Sequence, residues 1–487
     1  MAGSAGSGGS GGTPSAGAGG AAGSGGAPVV VLPPGPPAAY ITTDDLKQAL
    51  STATLNMGAA QADATVTLDP TTTYQVMNGF GAAITDSSSY VMTKYLSADA
   101  LQQALVKIFD VTNGVGIDFL RQQMGASDFS SIGDYSYDDN KTNNGPPDPS
   151  LANFSIAEDL VATVPVLKQS LAINPAIYIM GTPWSPPAWM KLNHSMRGSN
   201  GAPGNPGLNT DYYDALAQYF VKFVKAYAAQ GITVSAITPQ NEPQNGAAAY
   251  PGMDFDAPSE LKFIGQNLGP AFKTAGLSTL VWPFDHNWDN EDYPEQVMGD
   301  ATAASFSEGA AFHCYGGDPS AMSTFHKNFP MKSIYMTECS GGTWQDDPFA
   351  NTIELEINST ANWAQAIALW NMALDENGGP RNNGCDGCRG VITVNSQSHD
   401  VTYTADYYAL GHFSKFVRPG ALRISSKSSN GGFNQVAFQN KDGRLAVIGH
   451  NTSNKTMTVQ IGSGDSAMSV SVPANAAVTV AWTPGVM

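Results

Sequence analysis

The chain has 487 residues, of which 42% are hydrophobic, 9% aromatic and only 13% charged. That length exceeds what one core needs, and the composition excludes a highly charged disordered chain. Lys plus Arg number 23 against 41 Asp plus Glu, and the net charge of -18 repels nucleic acid and anionic membranes while leaving a neutral partner such as a sugar untouched.

Residues 2–28 are almost wholly Gly, Ala and Ser, and Pro33-Pro34-Gly35-Pro36-Pro37 follows as a stiff spacer, so 1–38 reads as a linker. Linkers of this kind stand behind export signals or anchors, which points to a secreted or cell-surface protein. No apolar run approaches the roughly 20 residues of a membrane-spanning helix. Residues 39–75 read as an N-terminal segment whose Thr65-Val66-Thr67-Leu68 joins a later β-domain.

From 76 to 418 short apolar runs alternate with longer helical patterns, the signature of α/β units. Eight strands are predicted: Gly79 to Ile84, Asp118 to Gln122, Ala176 to Met180, Val234 to Thr238, Thr279 to Trp282, Ala310 to His313, Ser333 to Met336 and Ala366 to Trp370. The clearest helix runs from Tyr212 to Gln230, with Leu216, Phe220, Phe223 and Tyr227 at helical spacing. Eight such strands imply a (β/α)8 barrel with its active site at the strand C-termini. Beyond Pro419 the texture changes to short strands (436–438, 445–448, 457–459, 470–472 and 477–480) separated by Gly, Asn, Asp and Ser, so 419–487 reads as an antiparallel β-sandwich.

Two glutamates share one setting. Glu242 follows Val234 to Ile237 within Gln240-Asn241-Glu242-Pro243, and Glu338 follows Ser333 to Thr337 and precedes Cys339-Ser340-Gly341-Gly342. A retaining glycosidase needs two carboxyl groups at such strand tips, one as acid and base, the other as nucleophile. On that reading the acid's pKa is raised by the other's negative charge. Neighbours sharpen the signal. Period-2 alternation puts His313 and Tyr315 on one side, where a tyrosine hydroxyl can hold a carboxylate ionised. Trp184 and Trp189 offer indoles to a sugar's apolar face, and Asn241 can donate to a 2-hydroxyl.

Taken together, Gly79-Phe80-Gly81-Ala82-Ala83-Ile84-Thr85-Asp86, Pro183-Trp184-Ser185-Pro186-Pro187-Ala188-Trp189-Met190-Lys191, Gln240-Asn241-Glu242-Pro243, Phe312-His313-Cys314-Tyr315, Thr337-Glu338-Cys339 and Leu410-Gly411-His412-Phe413-Ser414-Lys415-Phe416 resemble the pattern of glycoside hydrolase family 30. Six motifs in the right order cover the chain from about residue 65 onward. The resemblance implies a TIM barrel with a side β-sandwich and a retaining double displacement. It also implies Glu242 as acid/base, Glu338 as nucleophile, and Asp86, Trp184, Asn241, His313, Tyr315 and Trp370 around the sugar.

Each of these residues has a plainer reading beside the functional one: Asp86 as a helix N-cap, Trp189 as core, His313 as a structural histidine, Trp370 as barrel packing. Cys385 and Cys388 have the spacing of a redox or zinc half-site; with no second pair to complete a zinc site, a local disulfide is expected. Cys314 and Cys339 stand open between two buried thiols and a bridge. No metal or cofactor is required, and Trp288-Asp289-Asn290-Glu291-Asp292 reads as a solvated loop rather than a calcium site. The expected substrate is a β-glucan or β-glucoside, with β-1,6-glucan first because Phe129 to Asp139 and Tyr250-Pro251-Gly252 resemble that branch. Glucosylceramidase, xylosidase, xylanase or galactanase activity and a non-catalytic carbohydrate-binding barrel are the alternatives, and a monomer is expected.

Overall fold

The computed structural model describes residues 35–139, 146–198, 207–462 and 466–485; most of the Gly/Ala/Ser-rich stretch expected to be a linker lies outside them. Two large sheets organise these residues. The first is all parallel and consists of β1 (Gly79–Ile84), β2 (Phe119–Gln123), β3 (Tyr178–Thr182), β4 (Ala236–Ile237), β5 (Leu280–Val281 and Phe284–Asn287), β6 (Gly309–His313), β7 (Ser333–Glu338) and β8 (Ala366–Leu369). Strand β5 is broken by Pro283, which has no N–H to give a ladder, and Phe284 and Asp285 then take φ of 82° and 58°. Its first half pairs with β4 and its second with β6, so the break closes the sheet into a barrel. The expected barrel is therefore present. The strand ends shift by one or two residues, β4 is shortened to two, and the second half of β5 continues past the predicted end at Trp282.

Because side chains alternate along a strand, every second residue enters the barrel. Phe119, Met180, Ala236, Trp282, Ala311 and Tyr335 fill the lower layer, where the Trp282 and Tyr335 rings stack with centroids 3.6 Å apart. Two positions further on, the same strands bring in Arg121, Thr182, Thr238, His313 and Thr337, all fully buried. Helices cover the outside. The helix predicted around Tyr212 to Gln230 is α2 (Tyr213–Ala229), which buries Leu216, Phe220, Phe223 and Tyr227; α1 (Asp86–Tyr95) lies earlier in the chain, and α3 (Pro348–Ala361) and α4 (Ala405–Ser414) lie later.

The second sheet has ten strands in the order Ser51–Ala53, Ala38–Thr43, Ala476–Trp482, Leu445–Asn451, Phe433–Gln439, Leu422–Ser428, Ala64–Val76, Met457–Ile461, Met468–Val472 and Leu55–Met57. It recruits the 65–68 segment and also takes in three strands that the sequence did not announce, Ala38–Thr43, Ser51–Ala53 and Leu55–Met57. Leu422–Ser428 is an extra strand, and Met457–Ile461 runs parallel to Ala64–Val76 because a non-adjacent stretch of chain, not a hairpin, supplies its neighbour. One face of this sheet packs on the barrel, where Val436, Phe438, Ala446, Ile448 and Ala477 belong to the same apolar cluster as the barrel helices, while Val447, Val459, Val470 and Val478 form a second core on the other face. His412 on α4 spans the junction, its ring nitrogens 2.8 Å from the hydroxyls of Thr42 and Thr479, and burial holds it neutral with its pKa down at about 3. Asp118 and Arg418 form a buried pair at 3.0 Å.

Candidate active site

The charged upper layer of the barrel centres on Asp285, which the break in β5 turns inward. Asp285 accepts from Arg121 Nη2 at 2.7 Å, Thr182 at 3.0 Å, Thr238 at 2.9 Å and Thr337 at 2.6 Å, and it faces His313 Nε2 at 3.0 Å. Burial alone would raise its pKa. Arg121 and His313 overcome that, with the hydroxyl of Thr337 adding to them, and hold it far below the usual carboxylate range. Arg121 is itself completely buried. It also donates to Glu338 Oε2 and, at 2.6 Å, to Asn241 Oδ1, and its guanidinium lies 4.9 Å from the Trp184 ring centroid and 5.4 Å from that of Trp370.

Glu338 ends β7. Besides Arg121 it accepts from the Tyr315 hydroxyl at 2.9 Å, and that hydroxyl lies 2.8 Å from Ser340 Oγ. Glu242 does not sit on the strand tip itself. It lies five residues past Ile237, in the left-handed region at φ 45°, and its backbone N–H donates to Asp285 O at 3.0 Å. Its Oε1 is 3.1 Å from His313 Nδ1, and its Oε2 accepts from Asn245 at 2.7 Å. His313 Nδ1 is also 3.9 Å from Glu338 Oε1. These two distances hold Glu242 Oε1 and Glu338 Oε1 within about 7 Å of each other, on either side of one imidazole nitrogen, a range that includes the retaining spacing of about 5–5.5 Å.

Burial pushes both glutamates up, and their surroundings then separate them. At Glu242, hydrogen bonding and charge from His313, with His286 and Asn245 helping, reverse the effect and hold the pKa down at about 2. At Glu338 burial prevails over Arg121 and His313, with Glu242 and Asp285 adding to it, so the pKa stands above the ordinary carboxylate value. Burial lowers His313, but Glu338 and Asp285 raise it more, with Glu242 adding, to about 9. The expectation that Glu242 would be the raised carboxyl is thus reversed. The histidine, which carries the proton, is its immediate neighbour, and the charge of Glu338 is shared with Arg121.

The remaining predicted residues gather nearby with some changes of role. Trp184 and Trp370 are each 3% exposed and stack on one another with centroids 4.9 Å apart, so they present edges rather than open faces. Trp370 lies just past the end of β8 at Leu369. Asp86 is not the N-cap of α1; Thr85 caps it by accepting from Ser88 N, and Asp86 accepts from Ser131 N. Trp189 does not join the site: its Nε1 donates to Asp138 O at 3.1 Å and its ring packs edge-on to Tyr212. Residues 288–292 form a 3-10 turn leading into a helix at Asp292–Gly299, with Trp288 buried, instead of a solvated loop. Cys314 and Cys339 are disulfide-bonded, as are Cys385 and Cys388.

Arg121, Asp285 and Asp128 were missed by sequence reasoning. Arg121 carried a signal, since a lone arginine two residues after an inward Phe119 must also point into the barrel. Asp128 has a buried Oδ1 with no hydrogen-bond partner, and burial with the charges of Glu338 and Glu242 pushes it well above the usual range. Its backbone carbonyl accepts from the N–H groups of Asn382 at 2.7 Å and Gly384 at 3.1 Å, in the segment that leads into the Cys385–Cys388 disulfide. A cleft of about 660 Å³, lined by Tyr315, Ser340, Trp288 and Trp344, opens beside Glu338.

Residues 77–417 match the glycosyl hydrolase family 30 TIM-barrel domain, and residues 420–480 match the glycosyl hydrolase family 30 beta sandwich domain. An endo-1,6-beta-D-glucanase of Neurospora crassa is 35% identical over 449 residues, covering 88% of this chain and 92% of its own length. The lysosomal acid glucosylceramidase of Mus musculus is 29% identical, covering 84% and 82%. Among solved structures, the endo-beta1,6-glucanase BT3312 superposes with a TM-score of 0.84 at 32% identity, covering 93% of this chain and all of that one.

Proposed function

The chain belongs to glycoside hydrolase family 30, and from that premise we propose that this glycoside hydrolase cleaves β-1,6-linked glucan with retention, outside the cell, using Glu338 as nucleophile and Glu242 as acid and base. One observation supports the roles above all. Glu338 is held between a buried guanidinium and a tyrosine hydroxyl, both donors, which oppose the burial that raises its pKa and support the ionised form that attack requires. Glu242 instead faces His313 at 3.1 Å, with which it shares a proton, and His286 at 3.8 Å.

In the first step a Glu338 oxygen bonds to the anomeric carbon while the bond to the leaving oxygen breaks, and the leaving oxygen takes a proton from Glu242. In the second, Glu242 takes a proton from water, whose oxygen displaces Glu338 from the anomeric carbon. The proton that Glu242 delivers is stored on His313 Nδ1, 3.1 Å away, which is why the free carboxyl has a low pKa without losing its role as donor. Asn241, fixed at its oxygen by Arg121, offers its NH2 end to a hydroxyl. Asp86 and the unpartnered Oδ1 of Asp128 supply acceptors; a site of buried polar groups rejects sugars that leave them unpaired. The relatives named endo-1,6-β-glucanases at 35% and 36% identity support the linkage.

Two measurements test this reading. Glu242→Gln is expected to cripple hydrolysis of β-1,6-glucan far more than that of an aryl β-glucoside whose leaving group needs no proton; equal losses would refute the acid/base role. A product profile on β-1,6-glucan, β-1,3-glucan, xylan and glucosylceramide tests the substrate. Release from xylan alone would overturn the linkage and leave the mechanism standing.

A further inference from the structure

We propose that the mouth of the barrel also holds a three-ligand site for a borderline divalent cation such as Zn²⁺, formed by Glu242, His286 and His313, and that occupation of this site switches hydrolysis off. Glu242 Oε1 lies 3.1 Å from His313 Nδ1 and 3.8 Å from His286 Nδ1, and the ligating atoms of all three side chains lie within 4.8 Å of one another. A tetrahedral zinc with bonds of about 2.0–2.2 Å needs its ligand atoms about 3.4 Å apart, so small side-chain movements suffice.

His286 gives the argument its independent support. Its Nδ1 is buried and has no hydrogen-bond partner, although it points at a carboxylate too distant to bond. A buried ring nitrogen normally finds a partner, and a cation between it and Glu242 would supply one. The break in β5 explains the position. In a regular strand Asp285 and His286 would face opposite sides, whereas the positive φ of Phe284 and Asp285 brings both to the mouth of the barrel.

The surroundings already have the form of a metal site's outer shell. Asp285 Oδ1 sits 3.0 Å from His313 Nε2, the carboxylate–histidine arrangement that fixes which ring nitrogen faces a metal, and Asn245 holds the other oxygen of Glu242 at 2.7 Å. Two imidazoles and one carboxylate suit Zn²⁺, Cu²⁺ or Co²⁺, while Mg²⁺ and Ca²⁺ prefer oxygen alone. A cation there would occupy Glu242 Oε1 and His313 Nδ1, the two atoms between which the catalytic proton moves. The inhibition therefore rests on the acid/base reading of Glu242; the binding does not.

The test uses the whole protein with Co²⁺, Zn²⁺ and Mg²⁺. Co²⁺ is expected to bind one to one with the strong visible absorption of a four-coordinate ion, and Zn²⁺ is expected to displace it. Zn²⁺ should inhibit hydrolysis of β-1,6-glucan, whose leaving group needs the proton, far more than that of an aryl β-glucoside, with Mg²⁺ without effect on either. His286→Ala should abolish the cobalt spectrum and weaken zinc inhibition at least about 10-fold, while His286→Cys, which restores a ligand, should recover binding with a thiolate band. Absence of the cobalt spectrum in the parent protein, or zinc inhibition undiminished in a folded His286→Ala variant, would overturn the site. Cobalt binding without inhibition of β-1,6-glucan hydrolysis would overturn the switch, whereas the acid/base role stands or falls separately with Glu242→Gln.

Discussion

The two layers inside the barrel are built on the same strands, two residues apart, and differ in almost every respect. The floor is aromatic and apolar: Phe119, Tyr178, Trp282 and Tyr335 stack face to face, and Trp282 and Tyr335 share Glu308 as acceptor. The layer above it is ionic, with Arg121, Asp285, His313, Glu242 and Glu338 in mutual contact. The pairing teaches how a barrel affords buried charge. The closed ring of backbone hydrogen bonds and the packed floor fix the strands, so the layer above can keep charged groups at separations they would not choose in solution. Stability should then reside below and chemistry above.

The harshest test of that division is Glu338→Gln, where removing the anionic oxygen should reduce kcat on the order of 10⁴-fold without moving the thermal midpoint downward. Arg121→Met comes next and straddles the boundary. It should cut kcat by roughly 10²–10³-fold and also lower stability by about 3–5 kcal/mol, since Asp285 and Glu338 would be left without their shared cation. Trp282→Ala is the converse experiment. Chemical denaturation should show a loss of about 3–5 kcal/mol, while kcat, measured well below the new midpoint, stays close to that of the parent. A collapse of kcat in Trp282→Ala would erase the distinction between the layers.

A subtler effect concerns pH. His313 is held near pKa 9 against 6.5 for a free imidazole, so the folded protein holds its proton more tightly than the unfolded chain does. The stabilisation this gives is complete below about pH 6.5 and is lost as pH rises through 9. If the same proton serves catalysis, the alkaline limb of the kcat profile should fall near pH 9. Asp285→Asn, which removes one of the charges that raise His313, should move that limb to lower pH. A limb unmoved in a folded Asp285→Asn variant would detach His313 from the proton path.

Much of this architecture is legible in the sequence because apolar runs spaced by helices are a strong signal. Glu338 and Glu242 stand out because each breaks an apolar run beside Pro or Gly. Asp285 does not stand out, because Trp282-Pro283-Phe284-Asp285 reads as the end of a strand and a turn; only the positive φ of Phe284 and Asp285, just after the break, turns it inward. Arg121 lay inside a correctly located strand and was read as one of its residues. The reversal at Glu242 has a further cause. A pKa depends on which partner is nearest, and the 3.1 Å contact with His313 joins residues 71 positions apart.

The ten-stranded sheet ends in Ser51–Ala53 on one side and Leu55–Met57 on the other, and these two strands are separated in the chain by Thr54 alone. One short ribbon therefore shields both open borders of the sheet. Unpaired borders are templates for aggregation, since their free N–H and C=O groups accept any passing extended chain. Clipping or deleting residues 51–57 would lay bare two such templates at once, along Ala38–Thr43 and Met468–Val472. A protease acting there would leave the catalytic groups untouched and still give the sheet two borders on which further copies could assemble.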